Sequence, residues 1–179
     1  MVALGQTLGS DVPFFIEAPT AVIHGWGQRI LPKTLEGIRW IVLVNPGFPI
    51  NTGRAFGRLD EVRRVVPPLP EALKAVEHAP TVSWSRILAR MENDFEAVLF
   101  GDYPVLADIK KTLLAVGAEG ALLSGSGATV FGVFREQAEA IRATEAFAGY
   151  QVVLGPSLRR GVLEQAPEAR TSASDGQRC

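Results

Sequence analysis

A carboxylate that follows two small residues and precedes an apolar run is the first feature whose residue types could do chemistry. Gly9 and Ser10 stand before Asp11, and Val12 opens the apolar run. Small residues let a ligand or a phosphate approach the backbone closely, and the apolar flank would raise the pKa of Asp11 by desolvation, which suits a proton acceptor. A turn aspartate that bonds its own backbone ahead of Pro13 is the alternative. Composition alone leaves both interpretations open.

A second candidate is a run of four consecutive small residues between two predicted strands, residues 120–123 and 128–134. The run consists of Ser124, Gly125, Ser126 and Gly127. Such a loop can present several backbone N–H groups to an anion. It matches neither the dinucleotide-binding pattern nor the P-loop, because no third glycine stands three residues on and no Gly-Lys-Ser/Thr follows. A hairpin turn that uses glycine for a positive φ is the alternative interpretation.

Polar residues at predicted element boundaries could add to a site. Asn45 closes a strand predicted over residues 39–45, and Thr52 is the predicted N-cap of the helix that follows. A strand end that leads to a helix N-terminus can meet a ligand, although a plain connection has the same pattern. Asn93 falls within a helix predicted over residues 85–100, and we expect its side chain to cap a neighbouring loop rather than to act in catalysis.

The composition excludes several classes of function. The chain has 179 residues, with 18 Lys and Arg against 19 Asp and Glu, which gives a formal charge of −1. This balance argues against a general nucleic-acid binder, which carries a basic face. The single cysteine, Cys179, excludes an intrachain disulfide and a cysteine-rich zinc site. His24 and His78 show no metal-ligand spacing, so we expect no protein-held metal site.

No stretch of the sequence has the character of a membrane helix, which needs about 20 predominantly apolar residues. The first residues also lack a basic segment followed by a long apolar core, so they do not read as a secretory signal. We therefore expect a cytoplasmic protein with no membrane partner.

The order of predicted elements indicates an α+β fold. From residue 39 onward it reads strand, helices, strand, strand, helix and strand, with the last helix and strand over residues 135–148 and 150–154. A β-α-β-β-α-β order is the split βαβ, or ferredoxin-like, arrangement. We expect the helices to cover one face of an antiparallel sheet.

Glycines and prolines set the other predicted boundaries. Strands over residues 21–24 and 28–31 are predicted to form a hairpin ahead of the sheet. Residues 32–37 are predicted to be a loop and residues 80–84 a turn. A helix that begins at residue 105 is predicted to end at Gly117.

Five short strings, in this order along the chain, resemble the motifs of the GHMP small-molecule kinases. They are Gly-Ser-Asp-Val-Pro at residues 9–13, Gly-Trp-Gly-Gln at 25–28, Asn-Pro-Gly at 45–47 followed by Thr52, Asn-Asp-Phe-Glu at 93–96, and Ser-Gly-Ser-Gly at 124–127. Each string alone is weak, but five in the family's order make the resemblance specific. It implies a two-domain fold, in which an N-terminal domain binds ATP and a ferredoxin-like C-terminal domain closes over the substrate.

The resemblance also divides the chain. It places residues 1–38 at the end of a truncated N-terminal domain and residues 39–158 in the C-terminal domain, and residues 159–179 are predicted to be a disordered tail. The family's N-terminal lysine and its glycine- and serine-rich ATP loop do not occur in this sequence. We therefore expect the chain alone to be an inactive fragment. We also expect self-association through apolar surface, such as Phe14 and Phe15, that a complete domain would cover.

The family reaction transfers the γ-phosphoryl group of ATP, with Mg²⁺ expected beside it, to an alcohol. The resemblance maps the family's catalytic base onto Asp11, and it makes Gly9, Ser10, Thr52 and residues 124–127 candidates for substrate or phosphate contacts. The strings are most similar to those of members that phosphorylate the 2-hydroxyl of a cytidine diphosphate-linked methylerythritol in isoprenoid precursor biosynthesis. A GHMP kinase for another small alcohol, such as homoserine, mevalonate or galactose, and a non-catalytic ferredoxin-like binding module are the alternatives.

Overall fold

The computed structural model of the chain describes residues 12–17, 20–25, 27, 29–63 and 76–158. These residues fall into two compact units, one that contains residues 12–32 and one that contains residues 33–158. The smaller unit has a helix, α1 (Val12–Glu17), and two antiparallel strands, β1 (Ala21–His24) and β2 (Arg29–Pro32). The predicted hairpin is confirmed, with its second strand one residue further along the chain.

The larger unit contains the remaining elements. In chain order they are β3 (Thr34–Glu36), β4 (Trp40–Asn45), α2 (Thr52–Val62), β5 (Thr81–Ser83), α3 (Trp84–Leu88), α4 (Glu96–Asp102), α5 (Pro104–Ala115), β6 (Gly120–Leu123), β7 (Val130–Phe134), α6 (Gln137–Thr144), a 3₁₀ turn (Glu145–Phe147) and β8 (Gln151–Pro156). Four of the strands form an antiparallel sheet in the order β6-β7-β4-β8. This is the ferredoxin-like arrangement that the sequence predicts.

The hydrophobic core lies between this sheet and helices α5 and α6. Along β4, Val42 and Val44 are fully buried, whereas Leu43 between them is 37% exposed. Side chains of a strand alternate between the two faces of a sheet, so one face of β4 meets the core and the other is open at Leu43. The residues paired with Leu43 in the neighbouring strands are Phe131 and the exposed Val153. The apolar run of β4 therefore marks a central strand that is buried on one face.

Helix α5 ends in a conformation that leads the chain into β6. Gly117 has a φ of 104°, and its N–H bonds to the carbonyl of Leu114 at 3.2 Å. The N–H of Ala118 bonds to the carbonyl of Leu113 at 3.0 Å. These two bonds form a Schellman motif, which favours glycine because of its positive φ. The predicted helix end at Gly117 is confirmed.

The prediction of one continuous helix over residues 85–100 is wrong. Helix α3 ends at Leu88, and α4 begins only at Glu96. Between them the side-chain oxygen of Asn93 accepts a hydrogen bond from the N–H of Phe95 at 3.0 Å. An asparagine that bonds neighbouring backbone competes with helical hydrogen bonding. The apolar period therefore continues through a segment where the helix is interrupted.

The predicted loop at residues 32–37 and the predicted turn at residues 80–84 are also wrong. Strands β3 and β5 occupy much of these segments and pair in parallel, with Leu35 opposite Val82. Val82 is 2% exposed. Such short strands form because they pair with a partner that is distant in the sequence. The local pattern of glycine and proline does not predict that pairing.

An ion pair joins α2 to α4. Arg58 donates two hydrogen bonds to Asp102, at 3.0 and 3.2 Å, and another to Glu61. The hydrogen bonds from Arg58 hold the pKa of Asp102 below its ordinary value, against the opposing effect of desolvation. The folded state therefore favours the ionised carboxylate more than the unfolded chain does. This contribution to stability is complete above the pKa that Asp102 has in the unfolded chain. It is lost as the pH falls through the lower pKa that Asp102 has in the folded protein.

We expect Asp102→Asn to reduce the free energy of unfolding modestly at neutral pH, since the pair lies at the surface. The difference from the unchanged chain should shrink as the pH falls below about 4, where an ordinary aspartate protonates. Urea unfolding followed by circular dichroism at pH values of about 7, 4 and 3 measures this difference. Asp108→Asn, at an exposed carboxylate of α5, is the matched control. A loss of equal size at every pH would contradict the ion-pair explanation.

Candidate functional site

The small-residue loop, residues 124–127, forms a tight turn between β6 and β7. The N–H of Ser124 bonds to the carbonyl of Thr129 at 2.8 Å, and the N–H of Gly127 bonds back to the carbonyl of Ser124 at 3.0 Å. Gly125 and Gly127 have φ values of 55° and 86°. Glycine adopts this region without the steric cost that other residues meet. The backbone conformation of the turn therefore accounts for both glycines.

Thr52 contacts this loop from the start of α2. The N-cap of α2 is Asn51, whose side-chain oxygen accepts a hydrogen bond from the N–H of Arg54 at 2.9 Å. The prediction that Thr52 caps this helix is therefore wrong by one residue, and asparagine is indeed the better capping residue. The Oγ1 of Thr52 lies instead 3.0 Å from the Oγ of Ser126, across 74 residues of sequence. Because a helix N-terminus carries partial positive charge, these hydroxyls lie where an anion would be stabilised.

Asn45 joins the end of β4 to the short segment between the small-residue loop and β7. Its Nδ2 donates a hydrogen bond to the Oγ1 of Thr129 at 2.9 Å, and its Oδ1 accepts one from the N–H of Gly47 at 2.8 Å. One side chain thus links Thr129, which stands just before β7, to the turn that leads into α2. Asn45 acts here through its hydrogen bonds to protein groups.

Asn93 supports the loop from another side. Its Nδ2 donates to the carbonyl oxygens of Leu123 at 2.7 Å and Gly125 at 2.8 Å. The expectation that Asn93 caps a neighbouring loop is therefore confirmed. Glu96, whose residue type and position alone predict no role, accepts a hydrogen bond from the N–H of Leu123 at 2.9 Å. The partner lies 27 residues away, so the position of Glu96 within the Asn-Asp-Phe-Glu string is the only sequence feature that could have drawn attention to it.

A pocket of about 550 Å³ opens beside the loop. Its lining includes Phe56, Leu59, Asn93, Phe95, Ser124 and Gly125. Phe56 is 53% exposed, and its ring meets the ring of Phe95 edge to face, with centroids 5.0 Å apart. A ligand in this pocket can therefore place an apolar group against an aromatic ring and polar groups against the loop.

The structure brings together some of the predicted site residues and leaves others undescribed. Thr52 meets residues 124–127, as described above. Gly9, Ser10 and Asp11 lie outside the described residues, and so do Trp26 and Gln28. The described part of the site consists of hydroxyls, backbone groups, amide side chains and an exposed aromatic ring. This set of groups is suited to binding and orienting a polar ligand.

Within the described ranges, no group of three His, Cys, Asp or Glu side chains is placed to hold a metal ion. No helix in this part of the chain has both the length and the apolar character needed to cross a bilayer.

Known proteins resemble this chain in sequence. The 4-diphosphocytidyl-2-C-methyl-D-erythritol kinase of Geobacter sulfurreducens is 40% identical over 145 residues, which cover 79% of this chain and 48% of the relative. The protein of the same name from Pelobacter propionicus is 39% identical over 146 residues, 80% of this chain and 49% of the relative. The chain thus spans about half the length of the curated relatives it matches.

Solved structures agree with the sequence comparison. A crystal structure of 4-(cytidine 5'-diphospho)-2C-methyl-D-erythritol kinase matches with a TM-score of 0.66 and 32% identity, over 87% of this chain and 56% of that one. The homoserine kinase of Cytophaga hutchinsonii matches with a TM-score of 0.55 at 15% identity, over 79% of this chain and 48% of that one, which shows a shared fold alone.

A family model described as the C-terminal domain of GHMP kinases matches residues 72–151. This stretch contains two strands of the four-stranded sheet, β6 and β7, and ends at the first residue of β8, whereas β4 precedes it. It contains the whole small-residue loop and both of the side chains, Asn93 and Glu96, that bond to Leu123. Together with the relatives, the match shows that residues 72–151 of this chain form a GHMP kinase C-terminal domain.

Proposed function

We propose that the protein transfers the γ-phosphoryl group of ATP to the 2-hydroxyl of 4-diphosphocytidyl-2-C-methyl-D-erythritol, a step of non-mevalonate isoprenoid precursor biosynthesis. The observation that carries this proposal is the 40% identity, over 145 residues, with the Geobacter sulfurreducens kinase of that substrate. The site described above supports it, since it offers hydroxyls and a helix N-terminus to an anionic ligand. Both substrates of the proposed reaction are polyanionic phosphate esters.

In the proposed reaction, Asp11 accepts the proton of the substrate's 2-hydroxyl as that oxygen bonds to the γ-phosphorus of ATP. The bond from the γ-phosphorus to the bridging oxygen breaks, and ADP leaves with the electron pair. Phosphoryl transfer depends mainly on positioning and on stabilisation of charge. Thr52 and the small-residue loop supply such contacts in the proposal, and Gly9 and Ser10 let the phosphates approach Asp11 closely.

Mg²⁺ is expected to accompany ATP, because phosphoryl-transfer enzymes generally neutralise nucleotide phosphates in this way. The described residues do not fit a protein-held divalent site, since no three carboxylate, imidazole or thiol ligands converge among them. We therefore assign no Mg²⁺ ligand to these residues and no step to the ion.

We also propose the domain division given by the sequence, with residues 1–38 in the ATP-binding domain, residues 39–158 in the C-terminal domain and residues 159–179 as a tail. The tail lies outside the described residues. The proposed substrates are soluble metabolites, which supports a cytoplasmic location. Phe15 is 61% exposed and Ile23 44% exposed in the smaller unit, which supports self-association of the chain as a proposal.

The proposal is tested with a fused protein, in which this chain replaces the matching C-terminal half of the Geobacter sulfurreducens relative. We expect the fused protein to form ADP with 4-diphosphocytidyl-2-C-methyl-D-erythritol and not with homoserine or mevalonate. We expect the 179-residue chain alone to show no turnover, because its sequence contains no glycine-rich ATP loop. Steady-state ADP release measured by a coupled assay distinguishes these cases.

Preferential phosphorylation of homoserine or mevalonate by the fused protein would overturn the substrate assignment. Turnover by the 179-residue chain alone would show that the ATP loop is not required. A correctly folded fused protein that accepts none of the three alcohols would favour the binding-module alternative.

A further inference from the structure

The last residue of β6 makes its outward hydrogen bonds to side chains. Strand β6 lies at an edge of the four-stranded sheet and pairs with β7. The N–H of Leu123 donates to the Oε1 of Glu96 at 2.9 Å, and the carbonyl of Leu123 accepts from the Nδ2 of Asn93 at 2.7 Å. Backbone groups at a sheet edge need partners when they are shielded from water. Asn93 and Glu96 therefore occupy the place that a neighbouring strand would take.

Asn93 extends this support into the small-residue loop. The same Nδ2 donates to the carbonyl of Gly125 at 2.8 Å, and Oδ1 accepts from the N–H of Phe95. The bond at Oδ1 fixes the orientation of the amide, so both carbonyl partners face N–H donors. A carboxylate at this position would direct an oxygen toward two carbonyl oxygens. The role of Asn93 thus depends on a donor that aspartate lacks.

Lys110 holds the carboxylate of Glu96 in place. Its Oε2 accepts a hydrogen bond from the Nζ of Lys110 on α5 at 2.5 Å, and Lys110 also lies 5.7 Å from the centroid of the Phe100 ring. The side chains of Lys110 and Glu96 are 25% and 16% exposed. A charge-assisted bond between partly buried groups is stronger than one at the open surface. The carboxylate that bonds Leu123 is therefore restrained by a helix of the core.

We propose that Asn93 and Glu96 are positioning residues that set the conformation of the small-residue loop for phosphoryl transfer, an inference that rests on the proposed function. The loop leaves β6 at Leu123, the residue that both side chains hold. Ser126 bonds to Thr52 on the opposite side. The loop is thereby fixed between two supports. Loss of the Asn93 support lets the hydroxyl and N–H groups of the loop move relative to the reacting phosphate.

Hydrogen exchange of the 179-residue chain tests the structural part without any assay of activity. We expect Asn93→Ala to speed exchange at the N–H groups of Ser124 and Gly127 by about tenfold or more, as local opening becomes easier. The N–H groups of Val42 and Val44 in the core should exchange as before, which shows that the variant folds. Unchanged exchange in the loop would overturn the proposal.

The two substitutions of Glu96 separate hydrogen bonding from charge. Glu96→Gln keeps an oxygen that can accept from Leu123, whereas Glu96→Ala removes it. We expect fast exchange at the Leu123 N–H in Glu96→Ala and near-normal exchange in Glu96→Gln. Equally fast exchange in both variants would contradict a role for Glu96 as the acceptor.

Kinetics of the fused protein test the positioning part. We expect Asn93→Ala to lower kcat by about 10- to 100-fold with little change in KM, because displacement of groups that hold the reacting phosphate affects the transition state most. Lys111→Ala, at an exposed residue of α5, is the control and should leave both constants unchanged. A full kcat in Asn93→Ala would overturn the positioning role. If the unmodified fused protein is inactive, the proposed function itself is contradicted. Hydrogen exchange of the 179-residue chain would still decide whether the two side chains hold the loop.

Discussion

Replacement of Asp11 by asparagine is expected to lower kcat of the fused protein by about 10²- to 10⁴-fold, the usual contribution of a general base. Asparagine has nearly the same shape as aspartate, but its side chain cannot accept the proton of the attacking hydroxyl. The KM for the diphosphocytidyl substrate should change little, because the substitution removes an interaction that matters in the transition state. Steady-state kinetics with saturating ATP measure both constants.

Asp60→Asn, at an exposed position of α2, is the matched control for this substitution. It makes the same chemical change away from the proposed reacting atoms, and we expect kcat to remain at the unmodified level. If Asp11→Asn retains full kcat while the fused protein is otherwise active, Asp11 is not the base. The turn-aspartate interpretation of residues 9–13 would then be the better one.

Gly127→Ala is expected to disturb both the stability and the activity of the site. Gly127 has a φ of 86°, and a Cβ at this position would lie 3.0 Å from the Cδ1 of Ile50 and 3.4 Å from the Cδ1 of Leu123. Strain of this kind costs about 1–3 kcal/mol. The loop can relieve it by moving away from Ile50, which weakens the Ser126–Thr52 bond. We therefore expect a loss of about 1–3 kcal/mol in the free energy of unfolding and of about 100-fold in kcat/KM.

Gly57→Ala is a matched control within the same chain. Gly57 lies in α2, and a Cβ there would meet no atom within 4 Å. Alanine is a better helix former than glycine by about 1 kcal/mol, so this variant should be slightly more stable and fully active. Urea unfolding and steady-state kinetics compare the two variants. Equal behaviour of Gly127→Ala and Gly57→Ala would contradict the argument from loop conformation.

The strands and turns that local patterns encode could be predicted from the sequence. The apolar run at Ile41 to Val44 predicts strand β4, because a short continuous run of Ile, Val and Leu is typical of a strand within a sheet. Gly117 predicts the end of α5 because the positive φ of that position favours glycine. The order of such elements was enough to predict the ferredoxin-like sheet and the position of the small-residue loop.

Several features that depend on distant partners could not be predicted. Strands β3 and β5 are three residues each, and they are strands because they pair with each other. The break between α3 and α4 contains Asn93, and a helical apolar period does not show that the backbone departs from a helix there. The same limit applies to Glu96, whose function depends on Leu123 and Lys110. Thr52 was predicted as a helix cap, and the adjacent Asn51 takes that role because its oxygen reaches Arg54.

The position of the transferred phosphate tests the central claim most directly. The fused protein is supplied with 4-diphosphocytidyl-2-C-methyl-D-erythritol and ATP that carries an isotopic label in its γ-phosphoryl group, and the product is examined by ³¹P NMR. The proposed function predicts a new labelled phosphomonoester at the 2-hydroxyl, formed in step with ADP. Label that appears only as inorganic phosphate, or on homoserine or mevalonate in preference to the diphosphocytidyl substrate, would contradict it.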